Sequence, residues 1–306
     1  MFQEKSFGLG KLVFDKEGNL RLFWRCVFYF TTFLTVTILL LFIVNTFFLV
    51  PFPQLLDSQI NQFLLGSSIS LISAIAANWL TMRLFEKLRL KHLGLNLDKK
   101  AFVSALGGIF IGFAAISLTA IIAGVLGNYT LEKNTTAGID AKCLNALLLG
   151  AIFFIAAAWE EILFRGYILQ TMVRSNQPIA GILISSILFA AIHLLNPNPG
   201  IISTLNTLLA GIWFSIGYLR TRSLWLPISM HFSWNWFQTA FFGVEVSGIT
   251  TLTQSPFLIE MDNGPEWITG GIYGLEGGIA ATLVLILIIL ILSLSKKAEL
   301  LGNSGH

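Results

Sequence analysis

The segment Ala156-Ala157-Ala158-Trp159-Glu160-Glu161-Ile162-Leu163-Phe164-Arg165 sets two adjacent carboxylates and a guanidinium directly after a run that is apolar from Ala146 to Trp159. Helix crossing a hydrocarbon core about 30 Å thick needs about 20 mostly apolar residues, and this stretch supplies them. Each ionisable residue inside such a helix carries an insertion cost of about 2.5–3.5 kcal/mol, so it calls for a partner, a cavity or a chemical duty. Arg165 lies four residues after Glu161 and shares its helix face, whereas Glu160 is rotated about 100° away. The spacing predicts a Glu161 to Arg165 ion pair with Glu160 left free.

The rest of the chain has the same character. Of its 306 residues, 55% are hydrophobic and 11% charged, against about 25% charged in soluble domains, and mean hydropathy is +0.77. These values exclude a water-soluble protein. Apolar stretches at 26–50, 61–82, 101–126, 146–172, 179–195, 202–219, 224–242 and 270–294 predict an all-α, polytopic transmembrane helical bundle of about eight spans in one membrane domain. The third, fourth and eighth are apolar nearly throughout. The fifth to seventh are shorter and carry polar residues, so they must lean on neighbours. Gly107, Gly108, Gly112, Gly124 and Gly127 along the third span favour close helix packing.

An even number of spans puts both termini on one side, and the basic residues indicate which. Lys5, Lys11, Lys16, Arg21 and Arg25 precede the first span, and Arg83, Lys87, Arg89, Lys91, Lys99 and Lys100 connect the second to the third. Arg165, Arg174, Arg220, Arg222, Lys296 and Lys297 fall on the same side, while the opposite side has Lys133 and Lys142. This asymmetry predicts an integral, multi-pass protein with cytoplasmic termini. The first twenty residues, with Glu4 and Lys5 among other charges, do not read as a cleaved signal peptide. The formal charge of +3 is small and unclustered, so no nucleic-acid partner is expected. Cys26 and Cys143 fall on opposite sides and are expected to be free thiols. The sequons at Asn128 and Asn134 fall on the outer side.

Two further motifs lie in spans: Phe189-Ala-Ala-Ile-His193, and His231-Phe-Ser-Trp-Asn235, whose spacing puts both polar heads on one helix stripe. The other histidines, His92 and His306, are in polar segments. The fourth and fifth spans form a hairpin turning near Arg174 to Pro178, which puts Glu160 and His193 about 21 and 22 Å up its two arms. His231 is about 13 Å above Arg222, several ångströms short of them on straight helices. Tilt, or an Arg174 segment that emerges into water, has to close that gap.

If these side chains meet, their chemistry suits attack of water on a carbonyl. Glu160 is placed to act as general base beside His193, and His231 and Asn235 to stabilise an oxyanion. Glu160, His193 and His231 are also a donor set for one divalent metal such as zinc, with an open position for water. Sequence leaves both arrangements open, because it has neither His-Glu-x-x-His nor a close ligand pair.

The motifs Glu160-Glu161-x-x-x-Arg165, Phe189-x-x-x-His193 and His231-x-x-x-Asn235, in this order and each in a predicted span, resemble those of the CPBP (Abi) family. That family holds the type II CAAX prenyl proteases, related to Ras-converting enzyme, together with bacteriocin-processing and immunity proteins. The resemblance runs from roughly Leu147 to Phe242 and implies cleavage of peptide bonds within the membrane. It implies that Glu160 and His193 activate the water, that His231 and Asn235 hold the oxyanion, and that Glu161 and Arg165 orient the site. Implied partners are the lipid bilayer and a membrane protein, lipidated peptide or prenylated protein; the CAAX branch removes the last three residues after a prenylated cysteine. The expected organisation is a cytoplasmic segment 1–25, accessory helices and an outer loop 26–145, a catalytic core 146–242, and an outer loop, last helix and tail 243–306.

Two other functions fit an intramembrane acid and histidines. A transporter with a Glu and His proton relay would spread polar residues over several spans, whereas here the ionisable residues concentrate in the fourth, fifth and seventh. A non-enzymatic immunity or assembly factor would bind a partner with the same fold. Trp213, Trp225, Trp234 and Trp236 read as packing or interfacial residues, with Trp234 and Trp236 also candidates to line a groove.

Overall fold

The computed structural model describes residues 10–294 apart from Thr251 and Thr253. Glu4, Lys5, Lys296, Lys297 and His306 therefore lie outside the described residues. The fold is an all-helical membrane bundle in which each predicted span has a helix: α1 (Leu22–Leu49), α2 (Gln59–Glu86), α3 (Lys99–Gly127), α4 (Ile139–Arg174), α5 (Pro178–His193), α6 (Ile201–Thr221), α7 (Trp225–Trp236) and α8 (Ile279–Leu294). Five of these, α1 to α4 and α6, are long and apolar enough to cross a membrane; α5 and α8 are shorter apolar helices.

Local sequence explains several boundaries. The Asp98 carboxylate caps α3 by accepting from the Ala101 amide at 2.7 Å, relieving one of the four unpaired donors at a helix start. Pro178 opens α5, where its missing N–H costs nothing. The last helix begins at Ile279 rather than near 270. Gly270 and Gly274 stand at φ 102° and 86°, backbone that a right-handed helix cannot contain, and short 3₁₀ turns replace its expected first turns.

The helices run alternately between two ends. At one, which carries the start of α1 and the basic connectors, Arg174 pairs with Glu86 at 2.5 Å and Phe28 meets Phe85 edge to face. The opposite end carries a two-stranded antiparallel sheet that the apolar pattern does not predict: β1 (Tyr129–Lys133) pairs with β2 (Leu258–Asp262), Leu131 opposite Glu260. We call these the basic end and the sheet end.

The glycines of α3 set its distance from α7. A Cβ on Gly108 would stand 2.6 Å from the Leu226 carbonyl oxygen, and one on Gly112 would stand 2.4 Å from that of Met230. Only glycine lets the two backbones approach this closely. The turn into α7 is held deep as well: Leu224 is fully buried and its amide donates to Gly94 O at 2.9 Å. His231 therefore starts from a turn sunk beneath the 89–94 connector, which closes the depth gap expected from straight helices.

Candidate active site

Directly after Glu161, α4 widens into a π-helical segment, Ile162–Ile168. Such turns weaken the regular backbone ladder and need outside partners. Asn78 of α2 donates to Ile162 O at 3.1 Å, Tyr29 of α1 donates to Leu163 O at 2.9 Å, and Gln170 donates to Arg165 O at 3.1 Å. The motif-free helices α1 and α2 thus fix the backbone that carries the motif.

Arg165 Nη1 donates to Glu161 Oε1 at 3.0 Å, with both side chains fully buried. The guanidinium also donates to Gly211 O at 2.9 Å and lies 4.5 Å from the centroid of Phe189 and 5.4 Å from that of Phe214. Phe189, the first residue of its motif, is therefore a floor for the cation. Phe214 stacks on its other neighbour, the His231 ring, at 4.9 Å.

Both imidazoles are oriented by their Nδ1 atoms. His193 Nδ1 lies 2.8 Å from Phe189 O and His231 Nδ1 lies 3.1 Å from Glu161 Oε1. Facing a carbonyl and a carboxylate oxygen, each Nδ1 is assigned as the donor. The Nε2 atoms face Glu160 Oε2, at 3.8 Å for His193 and 4.0 Å for His231. These gaps are too long for a direct hydrogen bond and suit one intervening water. Glu160 Oε2 is buried and has no hydrogen-bond partner among the described residues. A cavity of about 430 Å³ opens against Glu160, His193, His231 and Asn235, and a smaller chamber of about 40 Å³ lies across His193, His231 and Asn235. All seven motif residues named from the sequence thus fall in one region, with Asn235 on the walls of both spaces.

The sequence reading missed Glu276. Its Oε1 accepts from Trp234 Nε1 at 3.0 Å, and its Oε2 accepts from the Ser247 amide and hydroxyl at 2.7 and 2.8 Å. It lines the smaller chamber with both histidines. The signal was available, since an acid at the start of an apolar helix poses the same burial problem as Glu160. Of the tryptophans, Trp234 lines that chamber, Trp213 is fully buried, and Trp225 donates to Asn96 O at 3.0 Å. Trp236 donates to Ala146 O at 2.8 Å and packs against Phe232 and Phe241, so its place is in packing rather than in the cavity lining.

Zinc ligands at about 2.0–2.1 Å in a tetrahedron stand about 3.3–3.4 Å from one another. Glu160 Oε2 stands farther than that from both histidines, and among the described residues no cluster of three or more His, Cys, Asp or Glu side chains is disposed to hold a metal. The residues as placed do not fit a zinc ion.

Residues 142–237 match the family model described as "Type II CAAX prenyl endopeptidase Rce1-like". Over 178 residues, 56% of this chain and 69% of the relative, the sequence is 26% identical to the "Putative membrane peptidase YdiL" of Bacillus subtilis (strain 168). Both findings support the CPBP/CAAX protease family that the three motifs resemble.

Proposed function

We propose that this chain is an intramembrane endopeptidase that hydrolyses a peptide bond of a membrane-associated or lipidated substrate. Membrane protease activity in general is what the family match supports; the residue roles rest on geometry. The carrying observation is the unpartnered Glu160 Oε2, buried between two imidazole Nε2 atoms and open to a cavity.

In this reading a water touches Glu160 Oε2 and the bare Nε2 of His193. As its oxygen adds to the scissile carbonyl carbon, its proton passes to Glu160. The developing oxyanion is met by Asn235 and by His231 Nε2. Because His231 Nδ1 already donates to Glu161, Nε2 donates to the oxyanion as part of an imidazolium. Collapse breaks the C–N bond, and Glu160 returns its proton to the leaving amine. Glu161 and Arg165 hold His231 in place and take no proton. The carboxylate and imidazoles suffice for this sequence without a metal. We place both termini in the cytoplasm on the charge asymmetry, and the core of the activity in 146–242.

The test is Glu160→Gln in purified, reconstituted enzyme against a peptidase panel. Loss of a general base is expected to lower turnover by about 10²–10⁴-fold. A binding-only immunity or assembly factor would keep its function through this change, and a proton-relay transporter would show flux without hydrolysis. Activity abolished by chelation and restored by one divalent metal would replace the metal-free mechanism.

A further inference from the structure

Access to Glu160 differs sharply between the two ends. The 430 Å³ cavity is walled by Gln62, Gly66 and Ser70 of α2 and by Ser247 and Ile249 after α7. It continues into a groove of about 310 Å³ that shares Gln62, Phe63 and Ile249 and reaches Gln59, the first residue of α2 at the sheet end. A Cβ on Gly66 would meet nothing within 4 Å, so the α2 wall is recessed there. Toward the basic end, every residue from Glu161 to Met172 is buried, and Phe164, Phe189 and Phe214 close around Arg165.

We infer that the substrate reaches Glu160 from the sheet end, along the passage between α2 and the connector after α7, and that it is an unlipidated polypeptide segment exposed on the outer face. This rests on the peptidase reading above and narrows its substrate class. Three observations carry it. The passage opens at the end opposite the basic connectors, and those connectors mark the cytoplasmic side. Its α2 wall presents the Gln62 amide and the Ser67 and Ser70 hydroxyls, groups that pair with a peptide backbone, beside Phe63, Phe153, Trp159 and Ile192, which suit apolar side chains of the same peptide; a prenyl chain would leave the polar groups unpaired, and burying polar groups against hydrocarbon is costly. The cavity of about 970 Å³ at the opposite end, lined by Arg21, Cys26, Met172 and Gln177, shares no wall residue with the site.

The experiment uses the full chain with Cys26→Ser and Cys143→Ser, reconstituted in liposomes and carrying either Gln62→Cys or Lys91→Cys. A membrane-impermeant polyethylene-glycol maleimide is applied from one side at a time. Gln62→Cys is expected to react only from the face opposite Lys91→Cys. Labelled Gln62→Cys enzyme should lose at least tenfold in hydrolysis of a quenched-fluorescent peptide library relative to the same variant unlabelled. An unmodified peptide should be cleaved within threefold of its farnesylated counterpart, and only when presented on the Gln62 side. Reaction of Gln62→Cys from the Lys91 side, full activity after labelling, or strict dependence on the farnesyl group would each overturn the inference. Absence of any Glu160-dependent hydrolysis would instead fail the peptidase reading, and the sidedness of labelling would still decide where the passage opens.

Discussion

The carboxylates around Glu160 and those around Glu260 are similarly crowded, but among the described residues the ion pairs lie with the first set. At the inner cluster Glu161 accepts from both Arg165 and His231, the guanidinium has aromatic faces on either side, and Glu160 Oε2 and Glu161 Oε2 are buried without a hydrogen-bond partner among the described residues. At the sheet end Glu260 faces Glu245, Asp262 and Tyr129. Lys142, close in sequence to β1, instead donates its ammonium to the Asn134 carbonyl. The difference follows from the partners. Deep in a bilayer a carboxylate must be paired through the fold, whereas Glu260, partly withdrawn from water beside like charges, relieves the repulsion by keeping its proton.

The comparison breaks first at Arg165. Arg165→Met takes the guanidinium from Glu161 and leaves His231 as its partner, and removing one partner of a buried pair costs about 3–5 kcal/mol. Thermal unfolding in detergent should show the largest loss of any single change discussed, with Glu161→Gln in the same chain recovering part of it. A variant as stable as the parent would mean that Glu161 is already neutral and that the inner cluster resembles the outer one.

Glu276 lies between these extremes and gives a smaller effect. Glu276→Ala strips the acceptor from Trp234 Nε1 and from the Ser247 amide, and each buried donor left unpaired costs about 1–3 kcal/mol. Because Ser247 lines both spaces at the site, KM should rise several-fold while the Glu160 dependence of turnover is kept. A fall in kcat at constant KM, with an altered pH profile, would move Glu276 from holding the connector to acting on the reacting groups.

What the sequence made legible follows the same division. Local patterns were enough where one segment carries the information: the apolar runs gave the eight helices, and Glu160, Glu161 and Arg165 could be sorted by helical angle alone. His193 and His231 could be brought near Glu160 by counting residues up a hairpin, but not to the right depth, because the turn before α7 is held by Gly94, more than a hundred residues earlier. The same limit hid β1 and β2, two five-residue strands separated by more than a hundred residues, and the support that Tyr29 and Asn78 give the π-helical segment. In 270–278 the glycines interrupt what reads as one apolar span, and Glu276 was taken into that span without being asked for a partner.

The smallest effect belongs to the outer cluster, and its sign is opposite to that of an ordinary ion-paired acid. Burial, followed by the neighbouring Glu245 and Asp262 carboxylates, pushes the Glu260 carboxyl up to about 8, with the Tyr129 hydroxyl opposing the shift. Between pH 4.5 and about 8 the unfolded chain has released this proton while the folded chain still holds it. The folded state therefore binds more protons in that window, and stability falls as pH rises through it. Glu260→Gln keeps the neutral form at every pH, so its unfolding temperature should lose that slope and exceed the parent's near pH 8. An equal slope in both proteins would show that Glu260 is ionised at the sheet end and that a cation compensates it, as at Glu161.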